Sequence, residues 1–222
     1  MGLALAFPPK LEILPEAQRR LWTELSATPS HFVLYGGTAI ALRLGHRHSE
    51  DFDFFSNQSF VPQELLARVS YLKGSVVRQE SPNTLTCSVE RGGRVLVSFF
   101  GGLALNRAAE PETAEGAGLQ VASLLDLAAT KLNTILGRAS LKDYLDIDAL
   151  LRAGIALTEA LGAARVVFGP QFSPMASLKA LTYFEEGDLA QLGQDVRHRL
   201  ETAVRIVELS GLPQLEGRHG IQ

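Results

Sequence analysis

The stretch Tyr35-Gly36-Gly37-Thr38, followed after a short apolar segment by Ser49-Glu50-Asp51-Phe52-Asp53-Phe54-Phe55, decides how this chain folds and what chemistry it can hold. Asp51 and Asp53 alternate with phenylalanines. In a β-strand, residues two apart point the same way, so both carboxylates line one face while Phe52 and Phe54 line the other and enter a core. The two acidic residues would stand roughly 6.6–6.8 Å apart at their backbone. Like charges at that spacing repel, and a divalent cation between them removes the penalty. Hard cations such as Mg²⁺ take carboxylate oxygens together with substrate phosphates. A solvent-facing strand edge also uses acids, but Phe52, Phe54 and Phe55 crowd the same short run and argue against an exposed edge. Gly36-Gly37 joins an apolar run to a helix start. Such a pair is a routine turn; at this position its N–H groups can also meet an anion.

Outward from that stretch, Leu14-Pro15-Glu16 opens a helix running to about Ser26, with Pro at an allowed first-turn position. Phe32 to Tyr35 reads as a buried strand. Thr38 is expected to cap a short helix, Ala39 to Leu44, which Gly45 ends. Asp51 to Phe55 is the second strand, Pro62 to Leu72 a helix and Ser75 to Glu80 a strand. Thr84–Glu90 and Arg94–Phe100 flank Gly92-Gly93, a two-residue hairpin signal. Gly101 to Gln120 is loop-like, rich in Gly, Ala and Glu. The periodicity then turns helical, with helices expected at Ser123–Leu136, Leu141–Arg152, Leu157–Val167, Met175–Phe184 and Leu189–Leu209. The fold class is α+β: an α/β domain over residues 1–110, a helical domain over 120–212 and a mobile tail over 213–222.

Composition sets the outer limits. Hydrophobic residues make up 46% and charged residues 20% of the 222, which suits an ordinary globular protein with a sizeable core. A net charge of -3 gives no global basic field to announce nucleic acid. The single Cys87 excludes an internal disulfide framework and a Cys-rich zinc site, and its alternating apolar surroundings make it a small core residue. Met1 to Phe7 has no basic n-region and is too short for a signal peptide. No run approaches the roughly 20 apolar residues of a membrane span. A cytoplasmic protein with no membrane association is expected.

The helical half carries a second hint. Leu124, Leu127, Ala128 and Ile135 share one helical face with Lys131. A cation inside an apolar stripe is costly unless it is paired, reaches a polar cleft, or extends its stem and exposes its head. Arg138 follows on the same face. Ser140-Leu141-Lys142-Asp143 fits a capping box with Asp in place of Glu. Asp146, one turn after Lys142, fits a surface ion pair, and Asp148 a solvated face. Arg43-Leu44-Gly45-His46-Arg47-His48 is a basic segment just before the acidic strand; it is a polar loop, or Arg43 or Arg47 meets phosphate oxygens. A His-His zinc site lacks further ligands at the right spacing. His198 and His219 read as surface residues.

Taken together, these elements resemble the nucleotidyltransferase superfamily, and more closely the AbiEii/AbiGii-type nucleotidyltransferase toxins of type IV toxin–antitoxin systems. The matching residues are Gly36-Gly37-Thr38-Ala39, Arg43, His46-Arg47, Ser49-x-Asp51-Phe52-Asp53-Phe54-Phe55, Ala129-x-Lys131, Arg138 and Lys142-Asp143-Tyr144-Leu145-Asp146. The resemblance implies a nucleotidyltransferase-fold mixed sheet with flanking helices, a C-terminal helical bundle, and an active site in the cleft between the two. It implies that Asp51 and Asp53 hold Mg²⁺ or Mn²⁺ and that Gly36, Gly37 and Thr38 approach the phosphates of an NTP. Arg43, Arg47, Ser49 and Arg138 would contact substrate. Lys131 would neutralise triphosphate charge, and Asp146 would orient it or activate the acceptor. The resemblance implies a tRNA acceptor and a cognate antitoxin partner. Many superfamily members carry a third acid on a later strand; here that strand, Arg94 to Phe100, has none, and Ser98 is the nearest polar residue. Two rival expectations follow: an aminoglycoside-type small-molecule nucleotidyltransferase, or a non-catalytic nucleotide-binding or interaction module.

Overall fold

The computed structural model describes residues 5–221. In chain order the strands and α-helices are β1 (Ala6–Phe7), α1 (Glu16–Trp22), β2 (Val33–Tyr35), α2 (Gly36–Leu44), β3 (Asp51–Phe55), α3 (Pro62–Arg68), β4 (Val76–Ser81), β5 (Thr84–Glu90) and β6 (Arg94–Phe100). There follow β7 (Asn106–Arg107), β8 (Glu112–Ala114), β9 (Leu119–Val121), α4 (Leu124–Thr134), α5 (Leu141–Arg152), α6 (Leu157–Phe168), α7 (Pro174–Leu181), α8 (Gln194–Arg205) and β10 (Arg218–His219). The chain divides into two compact units. The first holds the chain up to Leu105, Glu110–Ser123 and the last residues from Gly220; the second holds Asn106–Ala109 and Leu124–His219. The expectation for the N-terminal stretch falls, for residues 1–4, outside the described residues.

The first unit is built on a mixed eight-stranded sheet in the order β1-β8-β9-β2-β3-β6-β5-β4. β2 and β3 run antiparallel, β3 and β6 parallel, and the β4-β5-β6 meander antiparallel. Alternation dictates the core. Phe52 and Phe54 are fully buried, while Asp51 is exposed and Asp53 half-buried on the other face. Phe54 stacks on Phe99 with ring centroids 5.3 Å apart, and Phe32 meets Phe99 edge-on at 5.1 Å. α1 turns Gln18, Leu21 and Trp22 inward, one turn apart, and leaves Arg19 and Arg20 outside on Glu16. Cys87 is buried on β5, as its pattern predicts.

Several expectations need correction. The loop-like stretch Gly101–Gln120 supplies β7, β8 and most of β9, strands of two or three residues that are too short for a period to show in sequence. The helix expected to Leu72 ends at Arg68 and continues only as a 3-10 turn, Ser70–Leu72. The last long helix is confined to Gln194–Arg205, flanked by 3-10 turns at Leu189–Gln191 and Leu209–Gly211. The segment after Pro213, expected to be mobile, is held at two points: Arg218–His219 pairs with Asn106–Arg107, and the Ile221 N–H donates to Asn57 Oδ1 at 2.6 Å.

The second unit is helical. α4 packs on α5 and α6, and α5 and α7 both meet α8. Asp126, buried in the first turn of α4, accepts the N–H groups of Ala108 (2.7 Å) and Ala109 (3.3 Å). Tyr144 Oη donates to the Ala180 carbonyl at 2.9 Å, fastening α5 to α7.

Candidate active site

The Asp-x-Asp strand and the glycine turn meet through sheet register. Tyr35, the last residue of β2, lies opposite Asp53, so the chain leaves β2 and enters α2 directly beside that carboxylate. A Cβ built on Gly36 would sit 2.7 Å from Asp53 Oδ2, and Gly36 has φ +77°. A side chain there is excluded twice, by contact and by backbone conformation. Gly36 and Gly37 lie in the first turn of α2, so the helix begins three residues earlier than the sequence suggests. Thr38 is therefore inside the helix and not its cap. Its hydroxyl lies 2.7 Å from Ser49 Oγ and donates to the main-chain carbonyl of Asp51. Thr38 and Ser49 are both buried, so this small network fixes the entry of β3 against α2. Gly45 ends α2 in the left-handed conformation at φ 68°, as expected.

On the neighbouring strand, Leu96 stands beside Asp51 and Ser98 beside Asp53. The position where a third acid would complete the set is thus Ser98, which lies 3.2 Å from Thr86 Oγ1. Among the described residues no group of three or more His, Cys, Asp or Glu side chains gathers into a metal cage. Two carboxylates on one open face do not fit a closed structural zinc site. They do fit a Mg²⁺ that completes its shell with phosphate oxygens and water. A cleft of about 390 Å³ opens beside Asp51, with Gln18, Glu50, Gly92, Gly93 and Arg94 among its walls.

The basic segment divides. Arg47 lies beside the strand entry and donates to the His48 carbonyl at 2.9 Å. Arg43 meets the β1, β8 and β9 strands. Its guanidinium pairs with Glu112 at 2.9 Å, donates to the carbonyls of Val121 (3.2 Å) and Ala122 (2.9 Å), and lies 4.1 Å over the Phe7 ring. Arg43 thus clasps α2 to the β8–β9 hairpin, with its guanidinium engaged by protein groups. Strands β8 and β9 were not visible in the sequence, so neither was its partner.

In the helical unit, Lys131 on α4 is buried, and its Nζ lies 2.6 Å from both Asp143 Oδ1 and Asp146 Oδ2 on α5. Arg138, largely exposed, donates to Asp143 Oδ2 at 2.8 Å. Burial pushes the Asp143 carboxyl up, but Arg138 and Lys131 more than offset this and hold it below its usual range. Three readings change. Asp143 is an ion-pair partner, not a cap, and Ser140 makes no side-chain cap bond. Asp146 is fully buried on Lys131, not on a surface Lys142. Asp148 is buried too, bonded to Arg199 of α8 at 2.6 and 2.9 Å. The signal for Asp143 was present: a lysine in an apolar stripe needs a counter-charge.

The backbone now has its counterparts among known folds. A candidate nucleotidyltransferase from H. pylori superposes with a TM-score of 0.52 at 16% identity, over 86% of this chain and 91% of that one. MenT4, a nucleotidyltransferase toxin from Mycobacterium tuberculosis H37Rv, superposes with a TM-score of 0.59 at 17% identity, over 87% and 83%. The fold is that of a nucleotidyltransferase. The family itself follows from sequence: residues 20–205 match the model of the nucleotidyl transferase AbiEii toxins of type IV toxin–antitoxin systems, and the chain belongs to that family. An uncharacterized protein of Aquifex aeolicus (strain VF5) is 32% identical over 123 residues, 54% of this chain. The match spans 58% of that relative's length.

Proposed function

We propose that this protein transfers a nucleoside monophosphate from a metal-bound NTP to an acceptor. The observation that carries the reading is the contact between Asp53 and Gly36: a carboxylate and a helix N-terminus are held together in one sheet register. Asp51 and Asp53 would hold Mg²⁺, or Mn²⁺ in its place. The metal would supply charge neutralisation at the phosphates. The chain's own part is positioning. Gly36 and Gly37 let the main chain approach the triphosphate, and the α2 dipole favours its charge. The Thr38–Ser49 network keeps Asp51 in line, and Arg47 would meet phosphate oxygens from the strand entry. Lys131 and Asp146 enter the reading as a fixed ion pair, with Asp143 and Arg138 as its supports. Membership of a type IV toxin family supports a cognate antitoxin as partner, and tRNA is the acceptor we put to the test. A need for NTP supports a cytoplasmic location. Among the described residues no helix is long and apolar enough to cross a membrane.

The test uses each labelled NTP with total tRNA, with protein alone, and with an aminoglycoside. Label should move to tRNA in the presence of Mg²⁺ and stay put when the metal is chelated. Asp51→Asn and Asp53→Asn should each abolish transfer while circular dichroism and melting stay as in the wild type. Full Mg²⁺-dependent transfer by either variant refutes the metal site. Ser98 beside Asp53 favours one second reading, a nucleotide-binding module without turnover. Saturable NTP binding with no label transfer to any acceptor would establish it.

A further inference from the structure

We propose that the cleft beside Asp51 is a nucleobase subsite, with the carboxamide of Gln18 as the group that reads the base edge. Gln18 is 1% exposed, and both its Nε2 and its Oε1 are buried without a hydrogen-bond partner. A carboxamide left this way costs free energy comparable to a lost hydrogen bond. An apolar residue would stabilise α1 better at this position, since Gln18 shares the buried helical face of Leu21 and Trp22. That face turns toward β6, and Gln18 is part of the cleft wall with Asp51, Arg94 and Leu96. A residue with an unmet donor and acceptor therefore belongs to the wall of a cleft that also contains a candidate metal ligand.

The walls select the ligand. About 390 Å³ accommodates one planar heterocycle with part of its sugar. Glu16, Glu50 and Asp51 line the cleft, which disfavours an anionic group inside it. A hydrocarbon would leave the Gln18 amide unpaired. A neutral planar group with a donor and an acceptor side by side satisfies it, and a nucleobase edge has that pattern; Gln pairs with adenine in this bidentate way. Gly92 and Gly93 line the cleft close to Arg20 and Ala17 of α1, and the exposed Arg94 also lines it with a guanidinium able to stack on a ring. The inference rests on the nucleotidyl-transfer reading for its choice of a nucleobase over other planar amides. The base belongs either to the NTP or to the terminal nucleotide of the acceptor, and the experiment separates the two.

In one arm, Kd values for ATP, GTP, CTP and UTP are measured by calorimetry on wild-type protein and Gln18→Met, a swap of similar length and helix propensity. In the other, short RNAs differing only in their 3′-terminal base are titrated in the same way. The expected result is a base preference in one arm that falls by about tenfold in Gln18→Met, the loss typical of one bidentate contact, with a melting temperature equal to or above wild type. A mapping on unaltered protein stands beside it. An azido-purine nucleotide, or an RNA ending in 4-thiouridine, should crosslink to residues 15–18 or 92–96. Crosslinks confined to other segments, equal affinity for all bases in both arms, or a preference that survives Gln18→Met would each overturn the subsite. If label transfer and its dependence on Asp51 persist in that case, the proposed function stands and the subsite alone falls. If wild-type protein binds no nucleotide in either arm, both fall.

Discussion

Replacing Lys131 with methionine tests the helical unit most sharply. The change keeps the stem length and the apolar contacts and removes the charge. In the folded protein Nζ is 2.6 Å from both Asp143 and Asp146, whose side chains are 1% and 0% exposed. Lys131→Met removes the cation that two buried carboxylates share, while Arg138, itself largely exposed, stays bonded to Asp143. Breaking a buried pair from one side costs about 3–5 kcal/mol, because the remaining charge is uncompensated. For a chain of this size that lowers the melting temperature by about 6–20 °C. The assay is thermal and urea unfolding of wild type, Lys131→Met, and a triple variant with Asp143→Leu and Asp146→Leu added. The triple variant should recover most of the loss, since a buried ion cluster replaced by apolar groups is often neutral or stabilising. The pH profile gives an independent check. Asp143 has a folded pKa below its ordinary 3.8, so its contribution is fully present above 3.8 and is lost as pH falls through the folded value. Lys131→Met removes part of that depression. The deficit should be largest near neutrality and narrow in acid, where the carboxyls take up protons. A Lys131→Met protein as stable as wild type at pH 7 would refute the buried-cluster account. Transfer measured well below the variant's melting point then isolates catalysis. If the Lys131–Asp146 pair acts in the reaction, turnover falls by about 10²-fold or more even where the variant is folded.

Gly36→Ala should cost about 1–2 kcal/mol from its left-handed backbone alone, and its methyl would displace the Asp53 carboxylate lying 2.7 Å away. NTP affinity and Mg²⁺-dependent transfer should fall more than stability does; a variant with normal NTP binding would reduce the glycine to a plain turn. Arg43→Met should lower stability by about 1–3 kcal/mol, since Glu112 and two main-chain carbonyls lose their partner. The NTP Kd of the folded variant should be that of wild type, and a weakened Kd would return Arg43 to the substrate.

The sequence by itself determined the elements whose periodicity is strong. The Asp-x-Asp strand, the glycine-ended helix before it, the hairpin around Gly92-Gly93 and the Leu141–Arg152 helix were all legible, because alternation and 3.6-residue spacing are local properties. The candidate carboxylates were legible for the same reason: Phe52 and Phe54 must go inward, so Asp51 and Asp53 must go out. What the sequence could not give was partnership across long separations. Arg43 reads as a phosphate contact until β8 and β9 form and Glu112 reaches it, some seventy positions along the chain. By local spacing Asp146 reads as a surface partner of Lys142 and Asp148 as a solvated acid, because Lys131 and Arg199 lie on other helices. Ser98 was visible as the nearest polar residue, but only the parallel pairing of β3 with β6 set it beside Asp53. Charge is expensive to bury without a counter-charge, so a charged residue's role is decided by what tertiary packing brings within about 3 Å of it. Local pattern fixes which way a side chain points, and only the assembled fold supplies what it points at.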